Sequence, residues 1–390
     1  MKSRESQTAD SAAVARRALP KDCGAGSING ADRPTNNAMS LLLPQLLRDE
    51  TLYSVGVRIH RLSGNAQPAT TSQRLFGSKS AMFNTLAPRH LARFERSTGA
   101  LYGTASDLFE SVTLAPFFLT FRSDRERESA RSAATAGSKL RYLRALGLPR
   151  SGGAGFMSLS HCVACTANDV DCLGASYWRR THQLPGVLVC HDHGEPLVEV
   201  RQRSNCWRES RDLKLPADRG SDGRVVLSTT NKESLTIFRQ LGTIQQAMLH
   251  RKFAASFSAD VLQHTYRQGL RDHGLLTSAG LVRVRAYLSA LQSRYRAISG
   301  TAVYGPYLSG SSVPTGLLRA ERPKRGELSP TAHTLLIGLL WGSWEAFAAA
   351  YAWQASLTVG QEDGDGYPEP GTCSVGRLLS ADERVSRPAW

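Results

Sequence analysis

"HCVACTANDVDCLGASYWRRTHQLPGVLVCHDHG", residues 161–194, gathers four of the chain's seven cysteines and four of its ten histidines. Cys162 and Cys165 are spaced Cys-x-x-Cys, and Cys190 and His193 are spaced Cys-x-x-His after 24 intervening residues. Each short spacing lets two soft donors converge on one ion, and two such pairs complete a tetrahedral Zn²⁺ site. Gly194, just past the second pair, permits the tight turn such a pair needs. The spacing therefore predicts one structural Zn²⁺ held by Cys162, Cys165, Cys190 and His193, with buried metal-free thiols as the alternative. Six residues separate Cys172 from Cys165, which predicts a core thiol there. His191 adjoins Cys190 and is expected to point away from the site, while His161 and His182 have no spaced partner.

The remaining cysteines are Cys23, Cys206 and Cys373. An odd count, tight spacing and an N-terminus without an apolar run favour a reducing compartment and metal over disulfides. A cytoplasmic protein is the expectation. Four protein ligands leave no open position for a catalytic water. His193-Gly194-Glu195 matches the His-x-Glu of zinc deaminases, but no Pro-Cys-x-x-Cys follows. Walker A, Gly-x-Ser-x-Gly and His-Glu-x-x-His patterns are absent from the sequence. No catalytic residues and no enzymatic activity are expected.

Lys plus Arg outnumber Asp plus Glu by 48 to 33, a formal net charge of +15 in 390 residues. Such an excess attracts polyanions, nucleic acid first among them. Only 8 of the 48 are lysines, so an arginine-rich codon usage is the plain alternative. "TLLIGLLWGSWEAFAAAYAW", residues 334–353, has the length of a membrane span. Glu345 lies inside it, and an acid at mid-bilayer costs about 2.5–3.5 kcal/mol, which predicts a buried helix and no membrane partner.

Around the cluster the pattern is helical. "LLRDETLYSVGVRIHRLSGN" has acids at its start, Leu52, Val55, Gly56, Ile59 and Leu62 at helical spacing, and Gly64-Asn65 as a stop. A second helix is expected from Thr70 or Thr71 to Phe76, and a third from "APRHLARFER" with Pro88 in its first turn. "ASDLFESV" and "TLAPFFLTF" carry the pattern to about 121, and "RSDRERESARS" at 122–132 reads as a solvated helix face or a linker. From Ser258 the pattern resumes. "SADVLQHTYRQGLRDHG" has Ser258 as cap and Gly274 as stop; Thr277 or Ser278 then caps "AGLVRVRAYLSALQSRYR". Leu281, Val284, Leu288, Leu291 and Tyr295 are its expected apolar stripe. Helix, short turn and basic helix outline a helix-turn-helix, with Arg283 and Arg294 on one face for a nucleic-acid backbone.

The expected fold is mainly α: helix-turn-helix-like helical domains flanking a small zinc-ribbon-like module. The domains run as a disordered tail at 1–40, a helical domain at 41–155, the zinc module at 156–215, a second helical region at 225–360 and a disordered tail at 361–390. Met39 is a candidate natural start.

"YWRRTHQLPGVLVCHDHGEPL" after a Cys-x-x-Cys closely resembles the TniQ/TnsD family, the target-site selectors of bacterial transposons. The matching positions are Cys162, Cys165, Tyr177, Trp178, Arg179, Arg180, His182, Gln183, Leu184, Pro185, Gly186, Val187, Cys190, His193 and Gly194. "LLPQLLRDETLYSVGVRIHRLSGN" and "SVTLAPFFLTF" are similar to the family's opening segments. "YRQGLRDHGLLTSAGLVRV" and "HTLLIGLLWGSWEAF" are similar, more loosely, to its longer members. Val163 departs from the pattern, where the family usually has proline. The resemblance implies a DNA-associated adaptor that marks an insertion site and recruits an AAA+ ATPase, which engages a transposase; some members work instead with an RNA-guided complex. A zinc-stabilised interaction subunit with little DNA affinity is the second hypothesis, a metal-dependent hydrolase through His191-Asp192-His193 a minor third, and a homodimer stays open. Arg179 and Arg180 either meet phosphates or an acidic partner, or pair with Asp169 or Asp171 inside the fold. Tyr177 and Trp178 read as packing, with Trp178 covering the ligand pairs.

Overall fold

The first expected helix forms where its sequence places it. α1 is Leu52–Leu62, and Thr51 caps it by accepting from the Ser54 N–H. Asp49 and Glu50 lie just ahead of it. Asp49 takes a left-handed backbone, φ 60°, and the buried Glu50 carboxylate pairs with Arg58 at 2.8 Å. In this computed structural model the described residues are 42–85, 87–148, 158–201, 213–219, 223–227, 231–251, 256–309 and 328–359. The tails expected at 1–40 and 361–390, most of the 147–155 boundary, and Cys23, Cys206 and Cys373 lie outside them.

Six more helices complete the N-terminal part. α2, Pro68–Phe76, starts ahead of Thr70 because Pro68 fills its first turn, where no N–H is needed; Gly77 ends it at φ 67°. α3, Leu91–Ser97, starts three residues after Pro88, which stays outside; His90 turns left-handed at φ 63° and its N–H is held by the Ala134 carbonyl at 2.8 Å. α4, Ala105–Ser111, opens on a Thr104/Asp107 capping box, and α5, Ala115–Leu119, on Pro116. The mixed-charge run is helical: α6, Asp124–Ala136, opens on a Ser123/Glu126 capping box. It is not solvated all round. Arg127 is buried, donating to the Leu119 and Thr120 carbonyls that α5 leaves open. α7 is Lys139–Ala145.

Next comes a small antiparallel sheet in the order β1-β2-β3: Ser158–His161, Val198–Arg201 and Arg224–Val225. Its register sets Leu159 opposite Val200 and Val198 opposite Val225. Between β1 and β2 lies α8, Val163–Leu173.

The longest described helix, α9 (Lys232–His250), lies in the helical region expected at 225–360, although the individual helices expected there begin only at Ser258. Ile237, Phe238, Leu241, Ile244, Met248 and Leu249 form its buried stripe, and the Asn231 side chain caps it. α10, Ala259–Asp272, matches expectation from its Ser258 cap to Gly274. α11 does not. It runs Val284–Arg294, starting well after Thr277 and Ser278, because residues 275–283 fold back on themselves. Leu276 bridges Val282 there, and Thr277 accepts from the Leu281 N–H. The connection is therefore longer than the short turn expected. The buried stripe is Tyr287, Leu291 and Tyr295, while Leu281 and Val284 are exposed.

α12 is Gly305–Ser309. The candidate span breaks into two helices, α13 (Pro330–Leu340) and α14 (Trp344–Val359), bent by 89° at Gly342 and Ser343. No single helix among the described residues is long and apolar enough to cross a membrane. α13 is buried along nearly its whole length. The fold is mainly α with little sheet.

One aromatic group ties the C-terminal helices to the N-terminal ones. Phe121 stacks on the His333 ring at 3.8 Å between centroids, and Phe257, Tyr266, Trp344 and Phe347 surround the pair. Burial, with a smaller push from Arg122, lowers the His333 pKa to about 3. The ring stays neutral at pH 7, sharing a 2.8 Å hydrogen bond with the Tyr266 hydroxyl.

Candidate metal centre

The Cys-x-x-Cys pair sits where a helix begins. Cys162 caps α8 and Cys165 lies in its first turn, so two free N–H groups, those of Ala164 and Cys165, point at the Cys162 sulfur. The other pair sits on a turn: the Gly194 N–H reaches the Cys190 carbonyl at 2.8 Å, with Gly194 at φ 69°. Across the gap the Cys165 and Cys190 sulfurs are 3.7 Å apart. His193 Nδ1 lies 3.5, 3.3 and 3.6 Å from the sulfurs of Cys162, Cys165 and Cys190.

Those edges test the fit. Zinc–sulfur and zinc–nitrogen bonds of about 2.3 and 2.0–2.1 Å give a tetrahedron with edges of about 3.8 Å between sulfurs and 3.6 Å from sulfur to nitrogen. All four donor atoms lie within 4.8 Å of one another, the three sulfurs are buried and His193 is exposed. The four residues could hold a metal ion. Three thiols this close cannot all ionise unaided: hydrogen bonding within the trio draws Cys162 well below the ordinary thiol range and drives Cys165 far above it. A divalent cation removes that conflict by taking three thiolates at once.

Other residues singled out from the sequence fall elsewhere. Cys172 is exposed, not a core thiol: two turns on from Cys165 it sits in the last turn of α8, past the buried Cys165 and Asp169, with its sulfur 3.6 Å from the Asn168 side-chain oxygen. His191 turns from the cluster, with Nε2 3.2 Å from the Gln246 amide and 3.0 Å from Asp192. His161 is buried, sharing a 3.0 Å hydrogen bond with Thr166, and His182 is buried beside the Cys190 thiol. Trp178 is fully buried, near the residue that precedes Cys162. It meets His161 edge-on at 5.8 Å and donates to the Lys214 carbonyl at 3.0 Å.

The two arginines part company. Arg179 pairs with Asp169 at 2.6 Å and lies over the Tyr177 ring at 4.8 Å. Arg180 is buried at 4% exposure and donates to the carbonyls of Thr113, Ser111 and Glu110 at 2.9, 2.5 and 2.8 Å. Burial lowers its pKa to about 10, so it stays charged at pH 7. Of the two readings left open for the pair, the inward one fits these contacts: Arg180 faces the interior, and Arg179 pairs with Asp169.

Sequence reading missed the joint that explains both. Residues 178–181 run beside 49–54: the Thr51 N–H meets the Trp178 carbonyl, Arg180 N–H meets the Asp49 carbonyl, and Glu50 bridges Arg179. The Asp49 carboxylate then takes the Thr181 N–H and hydroxyl at 3.0 and 2.6 Å and faces His250 of α9 at 3.3 Å. Burial would raise its pKa, but hydrogen bonds from His250 and Thr181 hold it below the ordinary carboxylate value. At the following loop, the Gly186 carbonyl (φ 95°) accepts from the Tyr304 hydroxyl at 3.0 Å, and a Cβ at Gly186 would lie 2.5 Å from that hydroxyl oxygen. Asp49, Thr181 and Tyr304 carry no motif spacing; only the left-handed backbone at 49 marks the first of them as unusual.

Residues 41–197 match the family model described as TniQ. No curated protein matches the chain. The matched span holds α1 to α8, the Asp49–Thr181 joint and all four converging donors.

Proposed function

We propose, on the match of residues 41–197 to the TniQ family model, that the chain is a non-catalytic adaptor that selects target sites for a transposition system. In this proposal it binds double-stranded DNA at the insertion site and brings an AAA+ ATPase and a transposase to it. The carrying observation is the family match itself, which encloses the four-donor cluster and the helices joined to it. A structural Zn²⁺ at Cys162, Cys165, Cys190 and His193 would lock the start of α8 to the 190–194 turn and add folding energy there. Phosphate contacts are proposed for Arg283 and Arg294, exposed at the two ends of α11, rather than for Arg179 and Arg180. Arg294 also reaches Gln240 at 2.6 Å.

The inward commitment of Arg179 and Arg180 favours a second reading, an interaction subunit docking on an RNA-guided complex with little DNA affinity of its own. Electrophoretic mobility shift of the purified protein on DNA flanking the element, against a shuffled duplex, separates the two. The adaptor proposal expects a retarded complex that weakens steeply with salt and prefers the native flank. No complex with either duplex at about 50 mM salt would favour the interaction subunit.

A further inference from the structure

The described helices include a close helix-turn-helix pair that sequence reading passed over. α6 ends at Ala136 and α7 begins at Lys139, so two residues, Gly137 and Ser138, reverse the chain. The turn is fixed. Gly137 lies at φ 87°, a Cβ there would sit 2.2 Å from the His90 ring, and its carbonyl accepts from Arg89 at 3.2 Å. α7 reads KLRYLRA. Tyr142, Leu143 and Leu146 turn into the core, while Leu140, Arg141 and Arg144 are exposed on the outward arc; Lys139, on the side of Tyr142 and Leu143, is exposed because it starts the helix.

The charge on that arc is one-sided. α7 carries three cations in seven residues and no anion. The acids of α6 are already engaged: Glu126 with Arg122 and Ser123, Glu128 with Arg131, and Asp124 with Arg127. Arg141 has a 3.4 Å contact to the Ser129 hydroxyl, and Lys139 and Arg144 have no ion-pair partner among the described residues. Arg141 and Arg144, three residues apart on that arc, repel each other, and a polyanion alongside relieves the repulsion. An α-helix with its side chains is about 10–12 Å across, a fit for a major groove about 12 Å wide.

We propose that α7 is a DNA-contacting helix, with Lys139, Arg141 and Arg144 neutralising phosphates of duplex DNA. This rests on the DNA-binding adaptor reading above and adds a contact surface to it, apart from Arg283 and Arg294. Phosphate contacts give affinity and register with little sequence preference.

Salt titration of binding to a random-sequence duplex tests it. Lys139→Ala/Arg141→Ala/Arg144→Ala should lower the slope of log K against log salt by about 2.7, at about 0.9 per lost contact, and Arg283→Ala/Arg294→Ala by about 1.8. Lys139→Arg/Arg141→Lys/Arg144→Lys should keep the parent slope, with unaltered metal content and melting temperature in every variant. If the parent binds DNA and the triple alanine variant keeps its slope, α7 is not a contact helix and the adaptor reading stands. If the triple variant binds DNA unchanged but loses retention on polyglutamate, the surface serves an acidic protein and the proposal fails. A slope that falls equally in the charge-conserving variant contradicts phosphate neutralisation. A parent that binds no DNA removes both proposals.

Discussion

Residues 158–201 and residues 256–359 are held together by opposite means. The first region has three short elements, a small sheet and three buried sulfurs that converge with His193 on one point, where a metal, as proposed, would hold its parts together. The second has helices packed through rings: Tyr266, Trp341, Trp344 and Phe347 around His333, with Tyr287, Leu291 and Tyr295 beneath α11. Removing one ligand should undo the first and spare the second, whereas removing one ring should weaken the second by degrees. The lesson concerns where a lesion travels: coordination fails all at once, while packing fails in proportion to the volume lost.

The largest expected effect is Cys190→Ser. Metal content should fall to background and residues 158–201 should lose protection in hydrogen exchange, while α13 keeps its own; Cys172→Ser, on an exposed thiol, should leave both as in the parent. Protection lost equally in α13 would dissolve the contrast. Phe347→Ala comes next, costing about 3–5 kcal/mol in denaturant unfolding without loss of metal. A cost below about 1 kcal/mol would mean that the ring cluster does not bind the C-terminal helices to the rest.

Arg180→Met, similar in length but uncharged, strips hydrogen bonds from three carbonyls and should cost about 1–3 kcal/mol. Its duplex-DNA salt slope should equal the parent's; a drop of about 0.9 would put Arg180 on a phosphate after all. The smallest effect is a pH dependence. His333 has its folded pKa lowered from 6.5 to about 3, so below pH 6.5 the unfolded chain binds a proton that the folded one refuses. Stability from this group is whole above pH 6.5 and declines as pH falls towards 3, by up to about 1.4 kcal/mol per pH unit. His333→Phe should flatten the parent's curve between pH 6 and 4 by up to that slope, measured by urea titration. An equal slope in both proteins would show that His333 is protonated in the folded state.

What could be read in advance follows the range of the interaction. Cys162, Cys165, Cys190 and His193 were legible because coordination demands donors a few residues apart, and caps such as Ser258 act on N–H groups three residues away. α9 was also open to reading: Asn231 before Ile237, Phe238, Leu241, Ile244 and Met248 is a capped helical stripe. The fates of Arg179 and Arg180 were not, because neighbouring arginines look alike until residues 49–54 and 110–113 lie against them. Nor could the late start of α11 be read, since a bridge between Leu276 and Val282 outweighs the capping preference of Thr277.

The metal content of the purified, folded protein tests the central claim most directly. Elemental analysis should give one zinc per chain, and a chelator strong enough to remove it should unfold residues 158–201 while α9 to α14 keep their far-ultraviolet signal and exchange protection. Folded protein that holds no zinc, with ordered residues 158–201 indifferent to chelator, would contradict a metal-built centre.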